Sequence, residues 1–205
     1  MASSYTTNLG IEEIATGEQS GTWGTTTNFN FDIFDRIAAY KAVGLSSTTH
    51  TLTVREAAPG SATENLQDGM YRVIKFTGAL GANNTVTIAP NTTQVYFMVI
   101  NATTDSGSSG PYSVILSQGT GANITVPNGY ANLVYCDGAG SGAAVVSVTD
   151  TLTMSGTKIT GGVITGITDL AVADGGTGAS TASAARTNLG AAADGDAVAM
   201  AIALG

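Results

Sequence analysis

Hydrophobic positions change their spacing three times along this 205-residue chain. Residues 1–27 are polar and turn-rich. The run Thr16-Gly17-Glu18-Gln19-Ser20-Gly21-Thr22-Trp23-Gly24 sets the single Trp among glycines that let the backbone bend tightly around a large ring. A helical period follows. Ile33, Phe34, Ile37, Ala38 and Lys41 share one side of a helix over 31–43, with Asn30 placed to cap it and Gly44 to stop it. Asp32 in the first turn and Lys41 in the last suit the helix dipole. Phe34 and Ile37 are the expected buried pair. One such helix cannot bury its stripe alone and needs a sheet or symmetry mates.

From His50 to Val148 the period drops to two. Strands are expected over 49–55, 71–76, 84–89, 94–101, 112–117, 124–126, 131–136 and 143–148. Turn signals such as Pro59-Gly60, Asp68-Gly69, Pro90-Asn91 and Pro127-Asn128-Gly129 separate them. This spacing argues a small antiparallel β-sandwich or jelly-roll-like domain. Val95 to Ile100 is apolar on both faces, which suits a central strand or one that faces a neighbouring subunit.

After Asp150 single apolar residues alternate with Thr and Gly. Ile159, Val163, Ile164 and Ile167 follow no helical period, and one copy would bury too little to offset its backbone entropy. Three copies wound around one axis would give these residues a narrow common core. Ala-rich runs at 182–189 and 191–204 favour short helices, with Leu189, Val198, Met200, Ile202 and Leu204 as packing residues. The expected organisation is an attachment segment and helix over 1–47, a β-sandwich over 48–149, and a trimeric shaft segment over 150–205. The fold class is thus mainly β: an extended N-terminal anchor with a short helix, a small antiparallel sandwich, and an intertwined C-terminal β-shaft.

Composition sharpens this picture. Gly is 27 of 205 residues without a three-residue period, so collagen is excluded. Charged residues are only 11%, which leaves Thr, Ser, Asn and Gln to form the polar surface. A net charge of -8 with few, scattered Lys and Arg makes nucleic acid a poor partner. One cysteine precludes an intrachain disulfide. Met1 to Gly10 has neither the basic nor the apolar part of a signal peptide, and Val95–Ile100 is too short to cross a bilayer.

Candidate chemistry is sparse. His50 has no Cys or carboxylate pattern around it and reads as a surface or sheet-edge histidine. Cys136 reads as a small buried hydrophobe. Asp194-Gly195-Asp196 lacks the donor spacing and closing Glu of a calcium loop. Asp174-Gly175-Gly176-Thr177-Gly178 has no following Lys and is not a phosphate loop. No catalytic residue, metal or cofactor is expected, and an enzyme is not.

Two segments carry a resemblance. Asp174-Gly175-Gly176-Thr177-Gly178-Ala179-Ser180-Thr181 with Ala184-Ala185-Arg186-Thr187-Asn188-Leu189-Gly190 is similar to a repeat of bacteriophage tail-fibre proteins. The run Thr16 to Gly24, followed by Asn28, Asn30 and the helix around Ile33, resembles the N-terminal opening of many such proteins. The resemblance implies a virion protein of the tail. It would be a homotrimer anchored to tail, adaptor or baseplate proteins, starting a shaft that supports host recognition through a distal fibre protein or a surface glycan. Trp23, Phe29, Phe31, Phe34 and Ile37 are the docking and bundle residues this reading selects; Ile159, Val163, Ile164 and Ile167 are its trimer axis. A capsid decoration or spike protein shares the symmetry and is the alternative. A carbohydrate-binding module is another, with Tyr96, Tyr112, Tyr130 or Tyr135 stacking on sugar. Exposed adjacent rings favour that reading, and inward-facing rings oppose it.

Overall fold

The computed structural model describes residues 2–55, 67–107, 109–151, 176–191 and 194–205. The chain forms two compact units, Met1–Thr153 and Met154–Gly205. It is a mixed α/β fold with several sheets and, among the described residues, three α-helices.

The first unit opens with a small antiparallel pair, β1 (Ser4–Tyr5) and β2 (Glu12–Glu13). Helix α1 follows over Trp23–Ile37. The helix begins eight residues before the sequence expectation and ends before Lys41. Asn30, expected as its cap, lies mid-helix, and its side chain bonds both backbone groups of Glu12, each at 3.0 Å. Residues of weak helix propensity (Thr25, Thr26, Thr27, Gly24) are helical here because tertiary contacts outweigh propensity. Lys41 and Gly44 belong instead to strand β3 (Tyr40–Gly44), whose ladder with β5 (Val73–Thr77) draws them out of the helix. Ile33 is buried, whereas Phe34 is 52% exposed, so the expected Phe34–Ile37 core pair is replaced by Ile33 with half-buried Phe29 and Ile37.

Two larger sheets make the body of the unit. The five-stranded sheet has the order β13 (Val145–Ser147), β12 (Ala131–Cys136), β8 (Val95–Asn101), β5, β3. The four-stranded sheet has the order β11 (Ile124–Val126), β10 (Val114–Ser117), β7 (Asn84–Ala89), β4 (Thr49–Thr53). Strand β8 is central, as its two apolar faces suggested. The strictly antiparallel expectation is corrected. The ladders β3–β5, β5–β8, β4–β7 and β7–β10 are all parallel. The physical reason lies in the path. The chain alternates between the two sheets, so each strand meets the strand one full pass earlier, running the same way. A strand in the opposite sheet does the work a crossover helix does elsewhere. Even the corners stack: β6 (Ala79–Leu80) pairs in parallel with β9 (Thr104–Asp105). The last pass reverses, with β11 antiparallel to β10 and β12 antiparallel to both β8 and β13.

Period-two alternation puts one side of each strand between the sheets. Leu52, Ile74, Phe76, Val86, Ile88, Phe97, Val99, Val114, Leu116 and Val134 are fully buried there, in one cluster with Val43, Val126, Cys136 and Val145. Each such side chain contributes about 1.5–3 kcal/mol relative to exposure. Two buried amides inside are held by hydrogen bonds. Asn101 donates to the carbonyl of Val126 at 2.9 Å and accepts from the Thr103 hydroxyl at 2.7 Å. Gln118 donates to the carbonyl of Thr93 at 2.7 Å and accepts from the Gly138 N–H at 3.1 Å.

In the second unit, α2 (Ala182–Leu189) coincides with the expected helix, and α3 spans Asp194–Ala203. Leu189, Val198, Met200, Ile202 and Leu204, expected to pack, are all more than half exposed. Residues 152–175, which hold the expected shaft core, lie outside the described residues.

Candidate functional site

Helix geometry sorts the five residues chosen for docking into two sets. At 100° per residue, Trp23, Phe31 and Phe34 fall within one arc, and Phe29, Ile33 and Ile37 within another. The second arc faces inward. The first faces out: Trp23 and Phe31 are each 62% exposed and Phe34 52%. The structure therefore brings Trp23, Phe31 and Phe34 together as a surface, and withholds Phe29 and Ile37 from it. Asp32 and Asp35 are exposed beside the aromatic arc, while Arg36 reaches back to stack over Tyr71, 5.3 Å from the ring centre. Three large rings displayed on one helical face are unusual for a surface with no apolar contact to make.

What orients α1 is the polar grip on the segment before it. Asn30 holds Glu12 as described, and Gln19 bonds both Glu12 and the Thr26 hydroxyl through its side-chain amide. Trp23 starts the helix just after the Gly17 and Gly21 bends, both at positive φ. The Lys41–Asp68 ion pair at 3.2 Å ties the start of β3 to a 3-10 turn at Asp68–Met70.

A second surface was less visible in the sequence. The outward side of the five-stranded sheet carries the row Tyr40, Val73, Met98, Leu133, in register across four strands, and beside it the pair Tyr96 and Tyr135. The outward side of the four-stranded sheet carries instead Thr49 opposite Thr85 and Thr51 opposite Thr87. The first face thus carries aromatic, aliphatic and thioether side chains with Lys75 among them, and the second is rich in hydroxyls around Ile115. The alternation of Tyr96 and Met98 along β8 was the available signal; that their partners on β12 and β5 are also apolar could be learned only from the register. Tyr96 and Tyr135 are exposed neighbours, Tyr130 is exposed apart from them, and Tyr112 packs against the core.

The motif in the second unit is a local fastening. Thr181 caps α2, its hydroxyl accepting the Ala184 N–H at 3.2 Å. Gly190 ends the helix at φ 64°, a left-handed position suited to glycine. The Asn188 side chain donates to the carbonyls of Thr177 at 2.9 Å and Gly178 at 3.0 Å, so the two halves of the motif hold each other. Ile159, Val163, Ile164 and Ile167, the expected trimer axis, lie outside the described residues.

Burial, with a smaller push from Asp137, raises the Cys136 thiol to about 12, so it is protonated at neutral pH. His50 sits half-buried on β4, an edge strand. Among the described residues no group of His, Cys, Asp and Glu is placed to hold a metal ion, and no helix is long and apolar enough to cross a membrane. Comparison with family models, curated proteins and solved structures gives no match to this chain.

Proposed function

We propose that this protein is a structural component of a bacteriophage tail, a homotrimeric fibre element docked to the tail or baseplate through its N-terminal helix. The observation that carries the reading is the outward Trp23–Phe31–Phe34 face of α1, which directly follows the Thr16-to-Gly24 run that resembles fibre openings. Such a face leaves large rings in water until a partner covers them, and buried aromatic anchors dominate the energetics of protein interfaces. The Thr177–Asn188 fastening gives the fibre-like motif a physical purpose: it fixes a turn onto a short helix whose apolar residues are exposed in a single chain. Exposure of Val198, Met200, Ile202 and Leu204 supports assembly of several copies, since an apolar helix is stable when surrounded. No chemistry is assigned. The work is mechanical, and the location is the virion tail.

Sedimentation equilibrium of the full chain at two concentrations tests the reading. The expected mass is three times the 20.5 kDa chain, and Ile164→Asp lowers it. A wild-type monomer at both concentrations overturns the trimer. Replacement of Phe31 and Phe34 by Ser is expected to abolish incorporation into tails; unchanged incorporation overturns docking through α1.

A further inference from the structure

The outward pair Tyr96 and Tyr135 lies directly across the β8–β12 ladder, with Cβ atoms about 4.5–5.5 Å apart as in any such pair. Both rings are exposed, Tyr96 at 60% and Tyr135 at 44%. They line a cleft of about 400 Å³ together with Gln94, Val95, Cys136 and Asp137. That volume falls at the small end of ligand sites, suited to one or two rings rather than an extended chain. Val95 and Cys136 point into the core, so the cleft presents two phenol rings and two polar side chains.

The polar groups are fixed in place. Asp137 Oδ1 accepts the N–H groups of Ala144 at 3.0 Å and Ala139 at 3.1 Å, which anchors the carboxylate at the cleft rim. Its other oxygen takes no hydrogen bond among the described residues. Gln94 donates from Nε2 to the Asp137 carbonyl at 3.3 Å, which leaves its amide oxygen as an acceptor. Arg72 stacks on Tyr96, 5.2 Å from the ring centre, and limits that ring's freedom. Preorganised rings and acceptors lose less entropy when a ligand arrives.

We propose that this cleft binds a neutral saccharide, with Tyr96 and Tyr135 stacking on the C–H face of a sugar ring and Asp137 and Gln94 accepting its hydroxyls. Three observations select this ligand. The outward aromatic rings meet an apolar ring face, while the carboxylate and amide oxygens at the rim call for a ligand rich in O–H donors. The Asp137 carboxylate at the rim repels an acidic sugar. The paired rings occupy a single register position of the ladder, with Lys75 on the same outward side of the sheet, which suits one small ring rather than a broad apolar partner. The proposal is independent of the tail-fibre reading and stands or falls without it.

Saturation-transfer NMR of the full chain with maltotriose, lactose and tri-N-acetylchitotriose tests it. At least one of these is expected to receive saturation from the protein. Titration of that sugar should then show affinity reduced tenfold or more by Tyr135→Ala and by Tyr96→Ala, and retained by Tyr135→Phe. Asp137→Asn, which disturbs the rim rather than the platform, is expected to weaken binding less than loss of either ring. Circular dichroism melts of each variant separate loss of the site from loss of the fold; Tyr135→Phe serves as the folded reference. Absence of transfer to all three sugars, or binding that folded Tyr135→Ala leaves unchanged, overturns the proposal.

Discussion

The side chain of Asn30 pairs with the backbone of Glu12 as a neighbouring strand would: its oxygen accepts the Glu12 N–H and its nitrogen donates to the Glu12 carbonyl, both at 3.0 Å. A helix residue thus completes the ladder of a two-residue strand that has β1 on its other side. Replacement by Ala removes both bonds at once. We expect Asn30→Ala to cost about 1–3 kcal/mol, and hydrogen exchange at the Glu12 amide to accelerate. Asn30→Asp should fail to rescue, because a carboxylate can accept from the N–H but cannot donate to the carbonyl.

Gly78 sits at φ 107°, where its own Cβ would collide with the carbonyl oxygen of Leu45. The neighbouring bonds Leu45 N–H to Thr77 carbonyl at 2.7 Å and Thr104 N–H to Gly78 carbonyl at 2.8 Å join three successive passes at that corner. Neither the backbone angle nor the packing leaves room for a methyl. Gly78→Ala is expected to destabilise by more than about 1 kcal/mol, read as a lower urea midpoint, while Gly24→Ala, where a Cβ meets nothing within 4 Å, leaves the midpoint unchanged or higher.

The Cys136 thiol, raised by burial to about 12 from its ordinary value of 9.0, links stability to alkaline pH. The unfolded chain ionises first, so the contribution is full below about pH 9 and is lost as pH rises through 12. Chemical denaturation between pH 8 and 11 should show a decline that Cys136→Ala flattens. At pH 8 the folded protein should resist iodoacetamide, and unfolding should expose the thiol.

The strands of the body were legible because period-two alternation is a direct signature of a half-buried sheet: Asn84–Ala89, Ile124–Val126 and Ala131–Cys136 have the same limits in sequence and structure. Their direction was not. Alternation looks the same in parallel and antiparallel ladders, and a turn signal such as Pro90-Asn91 marks a change of direction without saying that the chain crosses there to the other sheet. The helix shifted because Thr25, Thr26 and Thr27 argue against it locally, while the grip of Asn30 on Glu12 acts over 18 residues. Tyr40–Gly44 was absorbed into the helix for the same reason: Lys41 and Gly44 fit the signs of a helix end, and only the ladder to Val73–Thr77 assigns them otherwise. Of the candidate surfaces, the ring-bearing helix was legible as residue types but not as a face. The Tyr96–Tyr135 cleft required the register that pairs two residues 39 positions apart, which no local pattern encodes.

The winding path bears on how such a protein can vary in length. Strands of one pass stack on those of the pass before, and only the final stretch, β11 to β13, turns back to finish the stack. A further circuit spliced in at the β7-to-β8 corner would inherit hydrogen-bond donors from one neighbour and offer acceptors to the next. Length can therefore change by whole circuits, each insertion bringing its own pairing partners and leaving the closing strands as they are.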